Sequence, residues 1–205
     1  MNSETVVSFF FTMLALSVAP GPDVMYVLST SIAKGKQYGI AAAIGLSCGL
    51  FFHTTLFAFG ISAIILNIPW LFTGIKIFGA LYLLWLAYSV FKSDASFQLK
   101  SKETFVDKPW KNIFQGLIMN ILNPKVMLFF LALFPTFINT QAGNVKMQVY
   151  TLGFIALIIA FVVFCLYAVL ASWLTKFLRE STAFNLGLKR VQIIVFVSLA
   201  IFMLV

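Results

Sequence analysis

Charge is what this sequence has least of. Lys, Arg, Asp and Glu together supply 10% of its 205 residues, where a soluble domain carries about 25%. Cysteine is nearly absent too. Cys48 and Cys165 lie in separate apolar segments and form no C-x-x-C, which excludes a disulfide framework and a zinc site and leaves both to act as small buried apolar residues. The opening Met1-Asn2-Ser3-Glu4 has no positive n-region, and no small-residue cleavage site follows it. The first apolar run therefore reads as a retained span and not as a signal peptide. Nothing in the pattern calls for a metal, a cofactor or a catalytic constellation. What is abundant is apolar surface, at 61% hydrophobic residues with 24 Phe. The composition is that of an all-α integral membrane protein.

A helix crossing the hydrocarbon core needs about 20 predominantly apolar residues. Six runs qualify, at about 5–31, 39–66, 70–92, 112–135, 147–174 and 188–205. The sixth is short, because Lys189 and Arg190 stand at its start. Polar connections are expected at 32–38, 93–111 and 175–187. Those three carry Lys34 and Lys36, then Lys92, Lys100, Lys102, Lys108 and Lys111, then Lys176, Arg179, Lys189 and Arg190. The two intervening connections offer Lys76 and Lys146. Positive loops stay in the cytoplasm, so loops one, three and five are expected inside, with both termini outside. The net charge of +8 is on this reading a topology signal, and nucleic acid is not an expected partner.

Two spans are interrupted in a corresponding way. Gly21-Pro22-Asp23-Val24-Met25 in span one aligns with Asn123-Pro124-Lys125-Val126-Met127 in span four, and Gly74-Ile75-Lys76 aligns with Gly187-Leu188-Lys189. The order of these matches predicts two inverted three-helix repeats, 1–92 and 112–205, joined by a cytoplasmic linker at 93–111. Inverted repeats broken at corresponding positions point to a transporter's substrate site. Proline removes a donor from the helix and clashes with the preceding turn, but at the first position of a new half-helix its missing N–H is harmless. Pro22 and Pro124 are expected there, with Pro20 and Gly21 forming the first break and Asn123 capping the second half-helix. Gly21 is expected to supply the backbone freedom the break needs.

Each break carries an ionisable residue, Asp23 and Lys125, of opposite sign. On insertion scales each costs about 2.5–3.5 kcal/mol at a helix centre and is rare unless paired or functional. The two are expected to pair with each other in the empty state, since Lys125 opposes the dipole of its own half-helix. The bland alternatives are a pair of proline kinks and an ion pair that only fixes packing. His53, the single histidine, shares a face with Ala41, Gly45 and Gly49. It reads as an interhelical hydrogen-bond partner or as a proton carrier. Ser17, Asn120 and Gln115 approach the breaks, where each suits a freed backbone group or a substrate.

On these residues the sequence resembles the lysine exporter (LysE) superfamily, in its homoserine/threonine exporter (RhtB) branch. The resemblance rests on Pro20-Gly21-Pro22-Asp23, on Gly116 through Asn123-Pro124-Lys125, on Gly79-Ala80-Leu81-Tyr82-Leu83, and on a length near 200 residues with six spans. It implies export of amino acids or close derivatives from the bacterial cytoplasm across the inner membrane, driven by protons. The competing readings are a passive channel or ion transporter on the same scaffold and a membrane thiol–disulfide relay, which would need reactive cysteines beside the prolines. A small chain of six helices is also compatible with a homodimer.

Overall fold

The computed structural model describes residues 2–61, 69–92, 108–180 and 182–204. Its elements, in chain order, are α1 (Ser3–Val18), α2 (Pro22–Lys34), α3 (Lys36–Leu56), α4 (Pro69–Lys92), α5 (Pro109–Ile121), α6 (Pro124–Leu128), α7 (Val145–Glu180) and α8 (Thr182–Leu204). A π-helical turn, Phe57–Ile61, prolongs α3; a second, Phe129–Leu133, and a 3-10 turn, Phe134–Phe137, prolong α6. Among the described residues there is no strand.

Three helices are long and apolar enough to cross a membrane, Lys36–Gly60, Thr73–Lys92 and Val145–Ala171, and five spans result if each of two bent pairs is one crossing. The bent pairs are α1 with α2, at 52°, and Pro109–Ile121 with Pro124–Phe137, at 50°. These are the two spans in which the sequence placed proline breaks. The sixth expected span is helical as α8 but is not among those five. The protein is an all-helical, multi-pass membrane protein.

Two connections differ from expectation. The loop at 32–38 shrinks to Gly35, whose φ of 102° lies in the region where only glycine is unstrained. At 175–187 the described residues are helical, α7 running to Glu180 and α8 starting at Thr182. No Gly or Pro occurs between Gly153 and Gly187, and the charged residues there are good helix formers. Polarity marks where a chain leaves hydrocarbon, but backbone hydrogen bonding does not have to end there. Most of the linker, 93–107, and the end of span two, 62–66, lie outside the described residues.

Glycine decides which helices approach most closely. A Cβ on Gly45 would lie 2.0 Å from the Ile113 carbonyl oxygen, and one on Gly116 would lie 2.6 Å from that of Ala42. The backbones of α3 and α5 therefore touch, the arrangement small residues permit in membranes. At one end of the bundle the rings of Phe9, Phe57, Phe129, Phe130, Phe134 and Phe137 pack with centroids 4.9 to 6.2 Å apart, mostly edge to face, as ring quadrupoles favour. Cys48 is exposed on α3 and Cys165 half-buried on α7, so neither belongs to the core. An outward apolar side chain is well solvated by lipid, and burial inside protein is not needed to keep it from water.

Candidate functional site

The two breaks meet. Breaking a helix leaves carbonyls at the end of the first segment and N–H groups at the start of the second without partners, and in hydrocarbon these must be satisfied by protein. At the first break the carbonyls are taken by side chains from three other helices. Lys125 Nζ donates to Leu16 O at 2.8 Å and to Ala19 O at 3.4 Å. Tyr167 Oη on α7 donates to Val18 O at 2.8 Å, and Gln192 Nε2 on α8 donates to Pro20 O.

Lys125 is thus hydrogen-bonded to backbone; its amine and the Asp23 carboxylate attract each other across the cavity but form no contact ion pair within 4.0 Å, against the expectation of a direct pair. A broken helix presents two ends, and the carbonyl end of α1, with its partial negative charge, supplies what the first turn of α6 denies a cation. The Lys125 ammonium also lies 5.4 Å from the Phe196 ring centroid. Asp23 is 8% exposed in the first turn of α2, where the helix end favours a carboxylate. Its Oδ1 accepts from Asn123 Nδ2 at 2.9 Å. Asn123 Oδ1 meanwhile accepts from the Lys125 backbone N–H at 3.0 Å, the capping bond the sequence predicts.

Pro22 and Pro124 open their half-helices as expected, and both are exposed. Gly21 is extended, with φ of −162°, a conformation open to any residue, so backbone freedom is not its purpose. A Cβ there would sit 3.7 Å from Lys125 Nζ, an ordinary contact, so the space beside the amine does not require glycine either.

A cavity of about 30 Å³ lies at the junction, lined by Ser17, Asp23, Asn120 and Lys125 among Met13, Leu16, Leu50, Val126, Phe129, Ala160 and Phe164. That space accommodates about two waters, and an amino acid is larger. Ser17 Oγ and Asn120 Oδ1 are buried without a hydrogen-bond partner. Buried polar atoms are usually satisfied, and these two belong to residues that line the one cavity. His53 does not line it. Its Nε2 lies 3.3 Å from Asn120 O, to which it donates, since a carbonyl only accepts, and its ring stacks on Phe130. Gln115 is exposed on α5 and stays away from the site; Asn112, Gly116 and Asn120 occupy the buried face of that helix, and five residues before Asn120 is the wrong phase for it. Among the described residues no group of three or more His, Cys, Asp or Glu stands together to hold a metal ion.

Sequence reasoning missed Tyr167, Gln192 and Phe196. Each lies in an apolar helix; accounting for the break carbonyls would have called for donors such as Tyr167 and Gln192, but nothing called for the Phe196 ring under the Lys125 amine.

The family model for LysE type translocators matches residues 14–205. An uncharacterized membrane protein of Bacillus subtilis (strain 168), YrhP, is 31% identical over 80% of this chain and 81% of its own length. An uncharacterized membrane protein of Vibrio cholerae serotype O1 is 28% identical over 88% of this chain and 87% of its own. The threonine efflux protein of Escherichia coli (strain K12) is 26% identical over 62% of this chain and 63% of its own. No solved structure matches the chain.

Proposed function

Because the chain belongs to the LysE type translocator family, we propose that it is a secondary transporter exporting amino acids or close derivatives from the bacterial cytoplasm by proton antiport. It would sit in the inner membrane with its Lys-rich connections inside. One observation carries the reading: a carboxylate and an amine, Asp23 and Lys125, line a single cavity where two broken helices meet. Ionisable groups inside a membrane mark substrate and ion paths. Asp23 and Lys125 each follow the proline that opens a half-helix, at aligned positions, which supports the inverted-repeat organisation. The printed name of the threonine efflux relative supports an amino acid as cargo.

The zwitterion's ammonium goes to Asp23 and its carboxylate to Lys125. To receive that carboxylate, Lys125 exchanges the carbonyls of Leu16 and Ala19 for substrate, which frees the end of α1 to move. Protonation of Asp23 removes the charge that holds the ammonium, so proton and substrate alternate on one carboxylate. At about 30 Å³ the cavity is too small for an amino acid, so loading requires helices to part.

Purified protein in liposomes provides the test. Uphill amino-acid efflux that depends on an imposed proton gradient, and is lost in Asp23→Asn and Lys125→Ala, is the expected result. Flux only down the amino-acid gradient would replace the exporter with a channel. Normal export by both variants would remove the site assignment.

A further inference from the structure

A second polar contact lies nearer one end of the bundle, outside the site just described. On α2, one turn beyond Asp23, the half-buried Tyr26 accepts at its Oη from Asn112 Nδ2 at 3.2 Å and donates to Asn112 O at 3.5 Å. Asn112 is 2% exposed, and its Oδ1 has no partner. Along α5 it stands eight residues before Asn120, about 12 Å from the cavity at 1.5 Å per residue, toward the end of the bundle where Lys34 closes α2 and Lys108 precedes α5. Thr30, one turn further along α2, is also buried. Polar side chains thus continue from the cavity to the Lys-bearing end between α2 and α5, in a chain that is otherwise apolar.

The two sides of the cavity are sealed differently. Toward the start of α1 stands the cluster of six phenylalanine rings, a thick apolar plug. Toward the Lys-bearing end the buried apolar side chains Val27, Leu28 and Leu46 are joined by a polar tyrosine–asparagine contact. The helices flanking that contact differ as well. The α3–α5 seam is interlocked through Gly45 and Gly116, backbone on backbone. Between α2 and α5 the polar links are the side-chain contacts Tyr26–Asn112 and, just past the end of α5, Asp23–Asn123. Separation of α2 from α5 would admit water to Asn112 Oδ1, giving a buried acceptor the partner it lacks. The closed contact therefore carries a built-in incentive to hydrate.

We propose that Tyr26 and Asn112 form a polar latch in the cytoplasmic gate of the substrate path, opening where α2 and α5 part. The gate rests on the transporter reading and its orientation, but it can be tested without any substrate. In a background of Cys48→Ser and Cys165→Ser, Ser17→Cys places a thiol on the cavity wall. A membrane-impermeant methanethiosulfonate is then applied to one face of oriented vesicles at a time. Tyr26→Phe, which removes both bonds and keeps Asn112 Oδ1, should raise the labelling rate from the cytoplasmic face at least about fivefold, the factor one lost hydrogen bond supplies, and leave labelling from the other face unchanged. Unchanged rates, or an equal rise from both faces, would overturn the gate. A selective cytoplasmic rise with no uphill amino-acid flux would uphold the gate and reject the proposed cargo. Flux without any change in labelling would do the opposite.

Discussion

Asn123 donates its side-chain amide to the Asp23 carboxylate at 2.9 Å, across one hundred positions of sequence. The same side chain caps α6 through the Lys125 N–H. One residue thus fixes the second break and ties it to the first, so the two interruptions behave as a single unit.

Asn123→Ala removes both bonds. Loss of an N-cap costs about 0.5–2 kcal/mol, and a buried carboxylate losing its donor adds about 1.5–3 kcal/mol. The unfolding midpoint in detergent should fall by several degrees, at about 2–4 °C per kcal/mol for a chain of this size. A midpoint within one degree of the wild type would show that the contact contributes nothing.

Lys125→Met leaves the carbonyls of Leu16 and Ala19 without their donor. Hydrogen bonds to charged groups are worth about 1.5–3 kcal/mol, so the variant should be less stable than wild type by that order. Lys125→Arg keeps charge and donors and should retain more of the stability. Thermal unfolding of the two variants side by side tests whether the amine holds the end of α1.

Asp23→Asn separates charge from structure. The new amide oxygen still accepts from Asn123 Nδ2, so the folded yield should stay close to wild type. Uphill flux should nonetheless fall at least about tenfold, because the charge-assisted bond to an ammonium is gone. Size-exclusion profiles and flux, measured on one preparation, check the two halves of the statement.

Gly45→Ala would force α3 and α5 apart, since its Cβ would lie 2.0 Å from the Ile113 carbonyl oxygen. Overpacking of this kind costs about 1–3 kcal/mol. Gly60→Ala meets nothing within 4 Å and should be near neutral. Comparable losses for both would mean that α3 and α5 do not touch at Gly45.

Much of this was legible in the sequence because it follows from local chemistry. Apolar runs had to be helices, Pro22 and Pro124 had to open half-helices, and Asn123 had to cap the second. The pairing of Lys125 was misread because its own half-helix was weighed and the carbonyl end of a different helix was not. Gln115 was misplaced because proximity in sequence is not proximity on a helix: five residues before Asn120 is out of phase with the buried face. The connection at 175–187 was read as a loop from its polarity, although its described residues are helical, to Glu180 and again from Thr182.

By itself the sequence determined the solvent and the interruptions. A chain so poor in charge must fold in a bilayer, and a proline interrupts a helix wherever it falls inside one. Only the tertiary structure decided who satisfies those interruptions. A freed carbonyl accepts from any donor brought near it, so the choice of Lys125, Tyr167 and Gln192, drawn from three different helices, depends on how the bundle packs and not on any residue's neighbours in sequence.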